Sequence, residues 1–381
     1  MKKKVEGRKL INCFYIIAIV AVLFSCFFAN KLSILFYLSP DYKFENKTEI
    51  HFIDVGQGDA IAIKFDNGKT MLIDTGTIEY QNKLKYYLDN IVLEDDKRID
   101  YLVLTHIDID HSGNMMFVLE NYDIGSFYRP KIYSTSEDPS SINTSNWYDK
   151  IVNYSTFKNI HSVFNEAGVT ISEGFTELTW LSPLDLEHND LVESNDFSPM
   201  IKLEYMGHSA LFTGDISSEE ENKLLSNYPH DILDIDILKI SHHGSNNSTS
   251  NNFLYATSPK YACISVGENI YGHPSNKLLK RILDYDKNTN SQLYSNLYST
   301  KNSGNIVFTL SENIEVDCIS NIDNYSFVSY YFYAFVIILI LAIFMAIPYY
   351  KVWKKNIRFV VQNKKFKEYL EEEKKDKKPS A

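Results

Sequence analysis

The sequence predicts an α/β sandwich flanked on each side by one membrane-spanning helix. Nine short apolar runs of the kind that form strands occupy the middle of the chain, with helical patterns between them. The early runs are followed by few helices and the later ones alternate with helices, which favours a sandwich over an all-parallel sheet. A long uncharged run lies near each end of the 381 residues, and histidines and aspartates gather where the central runs end.

The first element is an apolar run near the amino terminus. No charged residue occurs between Lys9 and Lys31, and a helix of that length crosses a hydrocarbon core of about 30 Å. A cleaved signal peptide is the alternative, because the run LFSC at 23–26 resembles a lipoprotein cleavage box. Phe24 is bulky for such a box and apolar sequence continues after Cys26, so we expect an uncleaved anchor.

The central strands and helices are predicted from short apolar runs and from apolar residues at helical spacing. The strands are Ile50–Val55, Ala60–Phe65, Met71–Asp74, Tyr101–Thr105, Ile201–Met206, Ala210–Thr213, Ile237–Ile240, Tyr261–Val266 and Ile306–Leu310. The helices lie near 79–93, 113–120, 147–166, 217–227 and 274–285. The polar segment 134–147 is typical of a loop.

The last predicted span lies between Asp323 and Lys351, where no charge occurs and tyrosines stand near both ends, as aromatic side chains do at a membrane interface. Two buried core helices are the alternative to two spans, but neither apolar run has a polar face. Both runs carry lysine and arginine on the outer flank, so the positive-inside rule places both termini in the cytoplasm and the middle of the chain outside. The predicted domains are a basic end with the first span at 1–30, an extracytoplasmic domain at 31–323, the second span at 324–350 and a charged cytoplasmic tail at 351–381.

The formal net charge of -11 hides an uneven distribution. The first ten residues carry five basic and one acidic residue, and 351–381 carries 11 basic and 5 acidic residues. The remaining 22 basic and 43 acidic residues give the middle a net charge of -21. An acidic body repels nucleic acid at long range unless a local groove is basic. Four cysteines in 381 residues exclude a disulfide scaffold.

The strongest chemical signal is the segment LTHIDIDHSGN, which begins at Leu104. Within six residues it offers His106, Asp108, Asp110 and His111 directly after a buried apolar run. Carboxylates this close together repel one another and are costly to bury without a counter-charge, which a divalent cation supplies. Imidazole together with carboxylate suits zinc, manganese or iron. The segment therefore predicts a metal site rather than a solvated acidic turn.

Four further motifs place polar residues at the ends of apolar runs. LFTGD ends at Asp215, and KISHHGS sets His242 beside His243, so that one can face a metal while the other turns away. In GENIYGHPS, His273 stands between glycine and proline in a turn, where a histidine can donate a proton or hold a substrate. In FIDVGQGDA two glycines let the chain bend sharply, and Asp59 follows them.

Taken in order, six motifs resemble the metallo-β-lactamase fold superfamily, and more narrowly the hydrolase-like domain of the ComEC family of competence DNA-uptake proteins. They are DVGQGD from Asp54, IDTG from Ile73, HIDIDH from His106, TGD from Thr213, SHHGS from Ser241 and YGHP from Tyr271. Together they span about residues 49–310. The resemblance implies the αββα sandwich of that superfamily, which is metal-dependent and hydrolytic in many of its members.

The resemblance also implies two divalent metal ions, zinc or manganese, and their ligands. One ion would be held by His106, Asp108 and Asp215, and the other by Asp110, His111, Asp215 and His242, with Asp215 as the bridge and His243 as the less favoured alternative to His242. A hydroxide between the ions would attack the substrate. Asp110 would orient this nucleophile, and His273 would lie near the leaving group.

Several features depart from the superfamily pattern or are assigned less firmly. Asp108 stands where the usual motif has histidine, as in the ComEC-type pattern. A histidine that many members place before the bridging aspartate is missing, and Asn195 and Ser198 stand in that region instead. Asp59 and Asp74 are further site candidates. ComEC proteins also have a multi-helix channel, which a chain with two spans cannot form alone, so transport does not carry over.

These features predict a membrane-anchored, extracytoplasmic, metal-dependent hydrolase that cleaves phosphodiesters, either DNA or a smaller molecule. Hydrolysis of small esters or lactones is one alternative, and a non-catalytic sensor or binding module is another. The net charge of -21 argues against DNA, whereas a local basic rim near the metals argues for it. The residues predicted to form this substrate rim are Lys239, Lys277, Lys280 and Arg281.

Overall fold

The computed structural model describes residues 47–94, 96–133, 137, 146–184, 194–319, 364 and 368. The chain divides into two compact units, Met1–Cys318 and Ile319–Ala381, and the fold below is that of the first unit. Both predicted spans, 1–30 and 324–350, lie outside the described residues. Among the residues that are described, no helix combines the length and the hydropathy needed to cross a membrane.

Two mixed β-sheets form the centre of the domain. The strands are β1 Thr48–Phe52, β2 Ile61–Lys64, β3 Thr70–Ile73, β4 Arg98–Val103, β5 Asp123–Arg129, β6 His161–Phe164, β7 Thr170–Glu173, β8 Thr176–Trp180, β9 Ile201–Tyr205, β10 His208–Phe212, β11 Ile237–Lys239, β12 Tyr261–Ile264, β13 Leu297–Ser299, β14 Asn305–Leu310 and β15 Ile314–Ile319. The first sheet has the order β15-β14-β1-β2-β3-β4-β5-β6, and the second has the order β13-β12-β11-β10-β9-β8-β7.

Each sheet is antiparallel on one side and parallel on the other. In the first sheet, β14, β1, β2 and β3 pair antiparallel, with Ile50 opposite Phe308, and β3 to β6 pair parallel. In the second sheet, β7 to β10 pair antiparallel and β10 to β13 pair parallel. The carboxyl ends of parallel strands lie at the same edge of a sheet. The segments that follow β3, β4, β10, β11 and β12 therefore leave the sheets at their carboxyl ends, where ligand sites of α/β proteins occur.

Helices connect the strands in the described part of the chain. They are α1 Gln81–Tyr87, α2 Ile109–Ser112, α3 Met115–Asn121, α4 Asn146–Phe157, α5 Ser218–Asn227, α6 His230–Leu233, α7 Asn251–Thr257, α8 Asn276–Thr289 and α9 Thr300–Ser303. Short 3₁₀ turns occur at Ile78–Tyr80, Ser194–Phe197 and Ser241–Gly244, and Leu88–Val92 is a π-helical turn.

Three apolar cores make this a four-layer αββα sandwich. The central core lies between the sheets, where Tyr128 of β5 stacks on Trp180 of β8 with ring centroids 5.2 Å apart. A second core joins the outer face of the first sheet to α1, α3 and α4. A third joins the outer face of the second sheet to α5, α7 and α8. Because a fully buried Leu or Phe side chain stabilises a fold by about 1.5–3 kcal/mol, these cores give the strand ends a rigid base.

The predicted α/β sandwich is confirmed, and each of the nine predicted strands overlaps an observed one. Six strands were not predicted, namely β5, β6, β7, β8, β13 and β15. The predicted helix at 147–166 is too long, because α4 ends at Phe157 and β6 follows as a strand parallel to β5. Of the predicted loop at 134–147, Glu137 is described, and the last two residues already belong to α4.

Candidate metal centre

The site is built on α2 and the strand β4 that precedes it. Thr105 lies just after the end of β4. Its backbone N–H and its hydroxyl both donate to Asp74, over 2.8 and 2.6 Å. Asp108 has extended backbone and α2 begins directly after it, which places Asp110 and His111 in the first turn. Gly58 packs against this turn so closely that a Cβ there would lie 2.2 Å from the Asp110 carbonyl oxygen, so only glycine fits.

Three buried imidazoles surround Asp215. Its Oδ2 lies 3.1 Å from Nε2 of His243 and 3.4 Å from Nε2 of His111. His106, His111 and Asp215 form one group whose ligand atoms lie within 4.8 Å of one another, and Asp110, His111 and His243 form a second. Two ligand atoms bound tetrahedrally to one zinc ion, at about 2.1 Å each, are about 3.4 Å apart. The spacing of these side chains therefore fits ligands of divalent metal.

Each imidazole is held by its other nitrogen. His111 Nδ1 lies 2.7 Å from Asp74 Oδ2, and His243 Nδ1 lies 2.8 Å from the Ser265 carbonyl oxygen. His106 Nδ1 lies 3.0 Å from the Thr105 hydroxyl. These contacts leave the Nε2 atoms to point at the centre, which is how metal-binding histidines are usually oriented.

His106 supplies the clearest sign that a group is to be bound here. The side chain is fully buried, and its Nε2 has no hydrogen-bond partner among the described residues. Buried polar atoms in native proteins nearly always have a partner, so an unpartnered nitrogen aimed into a cluster of ligands calls for one. A metal ion bound here would satisfy this nitrogen and neutralise the carboxylates around it.

The electrostatics of the cluster are dominated by its carboxylates. Burial lowers the pKa of His111, but Asp215, Asp74 and Asp59 outweigh burial and raise that pKa well above its usual range. His243 behaves in the same way, since Asp215 and Asp110 overcome burial and raise its pKa to about 10. Burial alone would raise the pKa of Asp215, yet the neighbouring cations hold it well below its usual range. The cluster therefore attracts positive charge strongly.

The two adjacent histidines, of which the sequence favoured His242 as a ligand, differ in their distance from Asp215. His243 lies inside, whereas His242 is 34% exposed and its Nε2 lies 3.9 Å from Asp215 Oδ2. Both residues have left-handed backbone, with φ near 50°, and in this conformation the His243 side chain is buried and the His242 side chain is partly exposed. Gly244 follows with positive φ, and a Cβ there would lie 2.7 Å from Pro274 Cβ. We therefore place His243, not His242, in the ligand group.

The remaining predicted ligands lie at the border of the cluster. The Asp108 side chain is 48% exposed, and its Oδ2 lies 3.8 Å from His106 Nε2. Asp110 is 25% exposed and lies 3.2 Å from His243 Nε2. Ser198 contacts both sides of the site, since its hydroxyl lies 3.3 Å from His106 Nδ1 and accepts from the Asp215 backbone N–H. Among the described residues, the buried Oδ1 of Asn195 has no hydrogen-bond partner.

Two members of the predicted substrate rim have other positions. Lys239 is 1% exposed, and its Nζ lies 2.6 Å from Asp59 Oδ2 and 3.5 Å from Asp215 Oδ1, below the cluster. The rim prediction is wrong for this lysine, because a buried ion pair holds it inside the protein. Arg281 donates to the carbonyl oxygens of Asn246, Ser248 and Thr249, so it holds a loop together. Lys277 and Lys280 are exposed on the first turns of α8.

His273 lies at the outer side of the cluster. Its ring centroid is 5.9 Å from that of His242, and the residue is half-buried. The functional contacts that sequence reasoning missed are those of Thr105, Ser265 and Asn269. Thr105 stands directly before His106, so its position in the motif was a usable signal. The Ser265 contact is made by a backbone carbonyl and has no signal in the sequence.

Several known proteins are similar to this chain. Residues 53–180 match the metallo-beta-lactamase superfamily. ComE operon protein 3 of Bacillus subtilis is 28% identical over 275 residues, covering 66% of this chain and 34% of that protein. Competence protein ComA of Neisseria gonorrhoeae is 26% identical over 246 residues, covering 64% of this chain and 30% of that protein. Among solved structures, the metallo-beta-lactamase fold protein YhfI of B. subtilis aligns with a TM-score of 0.42 and 11% identity over 70% of this chain and 100% of that chain.

The match covers about a third of the length of the two curated relatives. The superfamily match at 53–180 runs from β2 to β8 and includes His106 to His111, and the resemblance inferred from the six motifs is confirmed. Residues 53–180 of this chain match the metallo-β-lactamase superfamily, and about two thirds of the chain is similar to competence proteins of the ComEC family.

Proposed function

We propose that the domain is a metal-dependent hydrolase that cleaves phosphodiesters. The observation that carries the proposal is the buried group of His106, His111, His243 and Asp215, with an unpartnered imidazole nitrogen at its centre. Divalent cations held by such a group polarise phosphoryl oxygens and lower the pKa of bound water. The chemistry favoured by this donor set is hydrolysis.

Residues at the open side of the cluster have roles that follow from their exposure. Asp110 is a partly exposed carboxylate next to the ligand group, and it can accept a proton from a water molecule and orient it. His242 and His273 lie side by side further out, where a substrate enters. We assign His273 to the leaving-group oxygen, at which it holds or transfers a proton. The half-buried position of His273 suits this role, because water has only partial access to its ring.

A phosphodiester is favoured as substrate over an ester or lactone because its phosphate group is negatively charged and lysine side chains lie near the site. The exposed residues Lys277 and Lys280 lie in the first turns of α8, four and seven positions after His273, and their ammonium groups can pair with phosphate oxygens. DNA and smaller phosphodiesters both offer such oxygens. The similarity to competence proteins favours DNA as the substrate. The net negative charge of the domain favours a smaller phosphodiester.

A substrate panel tests the proposal. The full chain, purified in detergent and loaded with Mn²⁺ or Zn²⁺, is offered bis(p-nitrophenyl) phosphate, a single-stranded oligonucleotide, p-nitrophenyl acetate and a lactone. We expect hydrolysis of phosphodiesters, loss of activity in Asp215→Ala and after chelation, and retention in His161→Ala, whose histidine is exposed on β6. Hydrolysis of the ester or lactone alone would overturn the substrate class. Metal binding without any hydrolysis would favour the non-catalytic binding module.

We also propose that the domain is anchored in the cell membrane and lies outside the cytoplasm. The proposal rests on the two uncharged runs of the sequence and on the basic residues at their outer flanks. Its test is a labelling experiment, argued below at the scale of the whole molecule.

A further inference from the structure

The loop between β12 and α8 presents two apolar side chains to water beside the metal centre. Ile270 is 95% exposed and Tyr271 is 69% exposed. The neighbouring histidine of the same loop, His273, contacts His242 at the outer side of the cluster. Exposed apolar side chains scattered singly are ordinary, but two adjacent ones at the mouth of a site indicate contact with a ligand.

This loop is held in one shape by the side chain of Asn269. Its amide nitrogen donates to the carbonyl oxygens of Gly267 and His273, over 2.9 and 2.8 Å. Its amide oxygen accepts from the backbone N–H groups of Tyr271 and His273, over 3.1 and 3.0 Å. Both ends of the amide are thus used to close the loop. Tyr271 is therefore pre-positioned, and a ligand that contacts it need not order the loop first.

A row of rings leads from Tyr271 into the centre. Tyr271 lies nearly parallel to His273, with an interplanar angle of 26° and centroids 5.9 Å apart. His273 contacts His242, and the ring of His242 lies 6.2 Å from that of His243. Because one face of Tyr271 covers His273 and most of its ring is exposed, the stack is open at its outer end. A planar group of a ligand could extend this stack, whereas the flexible acyl chain of a lipid could not.

We propose that Tyr271, supported by Ile270, is a stacking site for an unpaired nucleobase next to the phosphodiester that is cleaved. The inference rests on the proposed phosphodiester chemistry and specifies its substrate as single-stranded nucleic acid or a nucleotide. In a duplex both faces of a base are covered by its neighbours, so a single exposed tyrosine reaches a base face only in an unpaired strand. Stacking of bases on aromatic side chains is tolerant of sequence, so we expect little preference among bases.

The test compares two single-stranded substrates of equal length, one with bases and one with abasic sugars. The measured quantity is the ratio of kcat/KM for the base-bearing strand to kcat/KM for the abasic strand. In Tyr271→Ala this ratio falls about tenfold, equivalent to ~1.4 kcal/mol, mainly through KM of the base-bearing strand. Tyr271→Trp restores the ratio, because it restores a planar ring. Phe175→Ala, which removes a 66% exposed ring at the β7–β8 turn, is the matched control and leaves the ratio unchanged.

A binding measurement separates failure of this site from failure of the catalytic proposal. Fluorescence anisotropy of a labelled oligothymidylate reports binding to the metal-loaded protein even where no strand is cleaved. Weaker binding by Tyr271→Ala together with no cleavage by the wild type supports the stacking site and refutes the hydrolase. An unchanged ratio and unchanged binding in Tyr271→Ala overturn the stacking site. A loss confined to binding of phosphatidylglycerol vesicles also overturns it, since Tyr271 would then contact lipid.

Discussion

At the scale of single residues, the backbone of His242 and His243 decides which imidazole reaches the cluster. Two consecutive left-handed residues other than glycine are costly, about 1–3 kcal/mol each, and such conformations persist mainly where function requires them. We predict that His243→Ala lowers the metal content of the purified protein and weakens metal affinity by roughly 100-fold or more, since loss of an orienting partner alone costs 10- to 100-fold. Elemental analysis after dialysis measures the content.

The adjacent histidine is the matched control for this prediction. His242→Ala should keep the metal content of the wild type, because its Nε2 lies 3.9 Å from Asp215 and the ring is partly exposed. Equal losses in the two variants, or a loss in His242→Ala alone, would show that the inward position of His243 is not what binds metal.

Lys239 and Asp59 form an ion pair that is buried inside the protein. Lys239 also donates to the carbonyl oxygen of Gly214, the residue before Asp215, over 2.7 Å. We predict that Lys239→Met destabilises the metal-free protein by roughly 3–5 kcal/mol, because it leaves the Asp59 carboxylate buried and without its cation. Asp59→Asn combined with Lys239→Met should recover much of the loss. Urea denaturation in chelator measures both, and a loss below about 1 kcal/mol in Lys239→Met would contradict the prediction.

Residue types and spacing were enough to locate the cluster, whereas side-chain direction was not predictable. The segment from His106 to His111 could be recognised as a metal site because four ligand-type side chains lie within six residues. The choice between His242 and His243 depends on backbone angles that a sequence of two identical residues does not reveal. Lys239 was placed on the rim because it stands three positions before His242 in the sequence. Its burial depends on Asp59, which lies 180 positions earlier in the chain.

At the scale of secondary-structure elements, strands with clear apolar runs were predictable and strands of mixed polarity were not. β5, with the sequence DIGSFYR, contains glycine and two charges, yet it lies in the parallel half of the first sheet between β4 and β6. β7 and β8 alternate buried and exposed residues over only four and five positions. Tertiary pairing stabilises such short strands, and their own sequence contains little of that information.

The loop that follows His243 is held by two neighbouring helices. From α5, the Glu221 carboxylate accepts from the backbone N–H of Thr249 and, over 2.8 Å, from that of Ser250. From α8, Arg281 donates to carbonyl oxygens of the same loop. Burial raises the pKa of Glu221 to about 7, although these N–H groups and Arg281 favour the carboxylate.

This raised pKa predicts a pH dependence of stability. Below about pH 4.5 the folded and unfolded chains both hold the Glu221 proton; between pH 4.5 and about 7 only the folded chain does, so stability falls as the pH rises through this range. The loss amounts to about 3 kcal/mol at 1.36 kcal/mol per pKa unit. Glu221→Gln, which cannot titrate, should flatten the urea-denaturation profile between these pH values. Parallel profiles for the two proteins would refute the assignment.

At the scale of the whole molecule, the distribution of charge determines how strongly this acidic protein can bind DNA. The middle of the chain has a net charge of -21, whereas Lys277 and Lys280 stand exposed near the mouth of the site. We predict that binding of single-stranded DNA weakens as salt rises, and that Lys277→Ala with Lys280→Ala reduces the slope of log K against log salt by about 1.4, at 0.7 per phosphate contact. Lys150→Ala with Lys158→Ala, exposed on and after α4, is the control. An unchanged slope would remove these lysines from the interface.

The orientation of the whole chain in a membrane follows from its basic flanks and can be tested in intact cells. Lysines and arginines lie before Leu10 and after Tyr350, on the outer side of both apolar runs, so we predict cytoplasmic termini and an exposed domain. Cys318 is exposed and has to be replaced by serine first, whereas Cys263 is buried. With that background, a membrane-impermeant maleimide should label a cysteine introduced in 134–147 and leave one introduced in 360–381 unlabelled until the cells are lysed. The reverse pattern would invert the orientation. Both sites could also be labelled in intact cells while a control cytoplasmic protein stays unlabelled. This result would exclude a cytoplasmic tail and therefore exclude a second membrane-spanning helix.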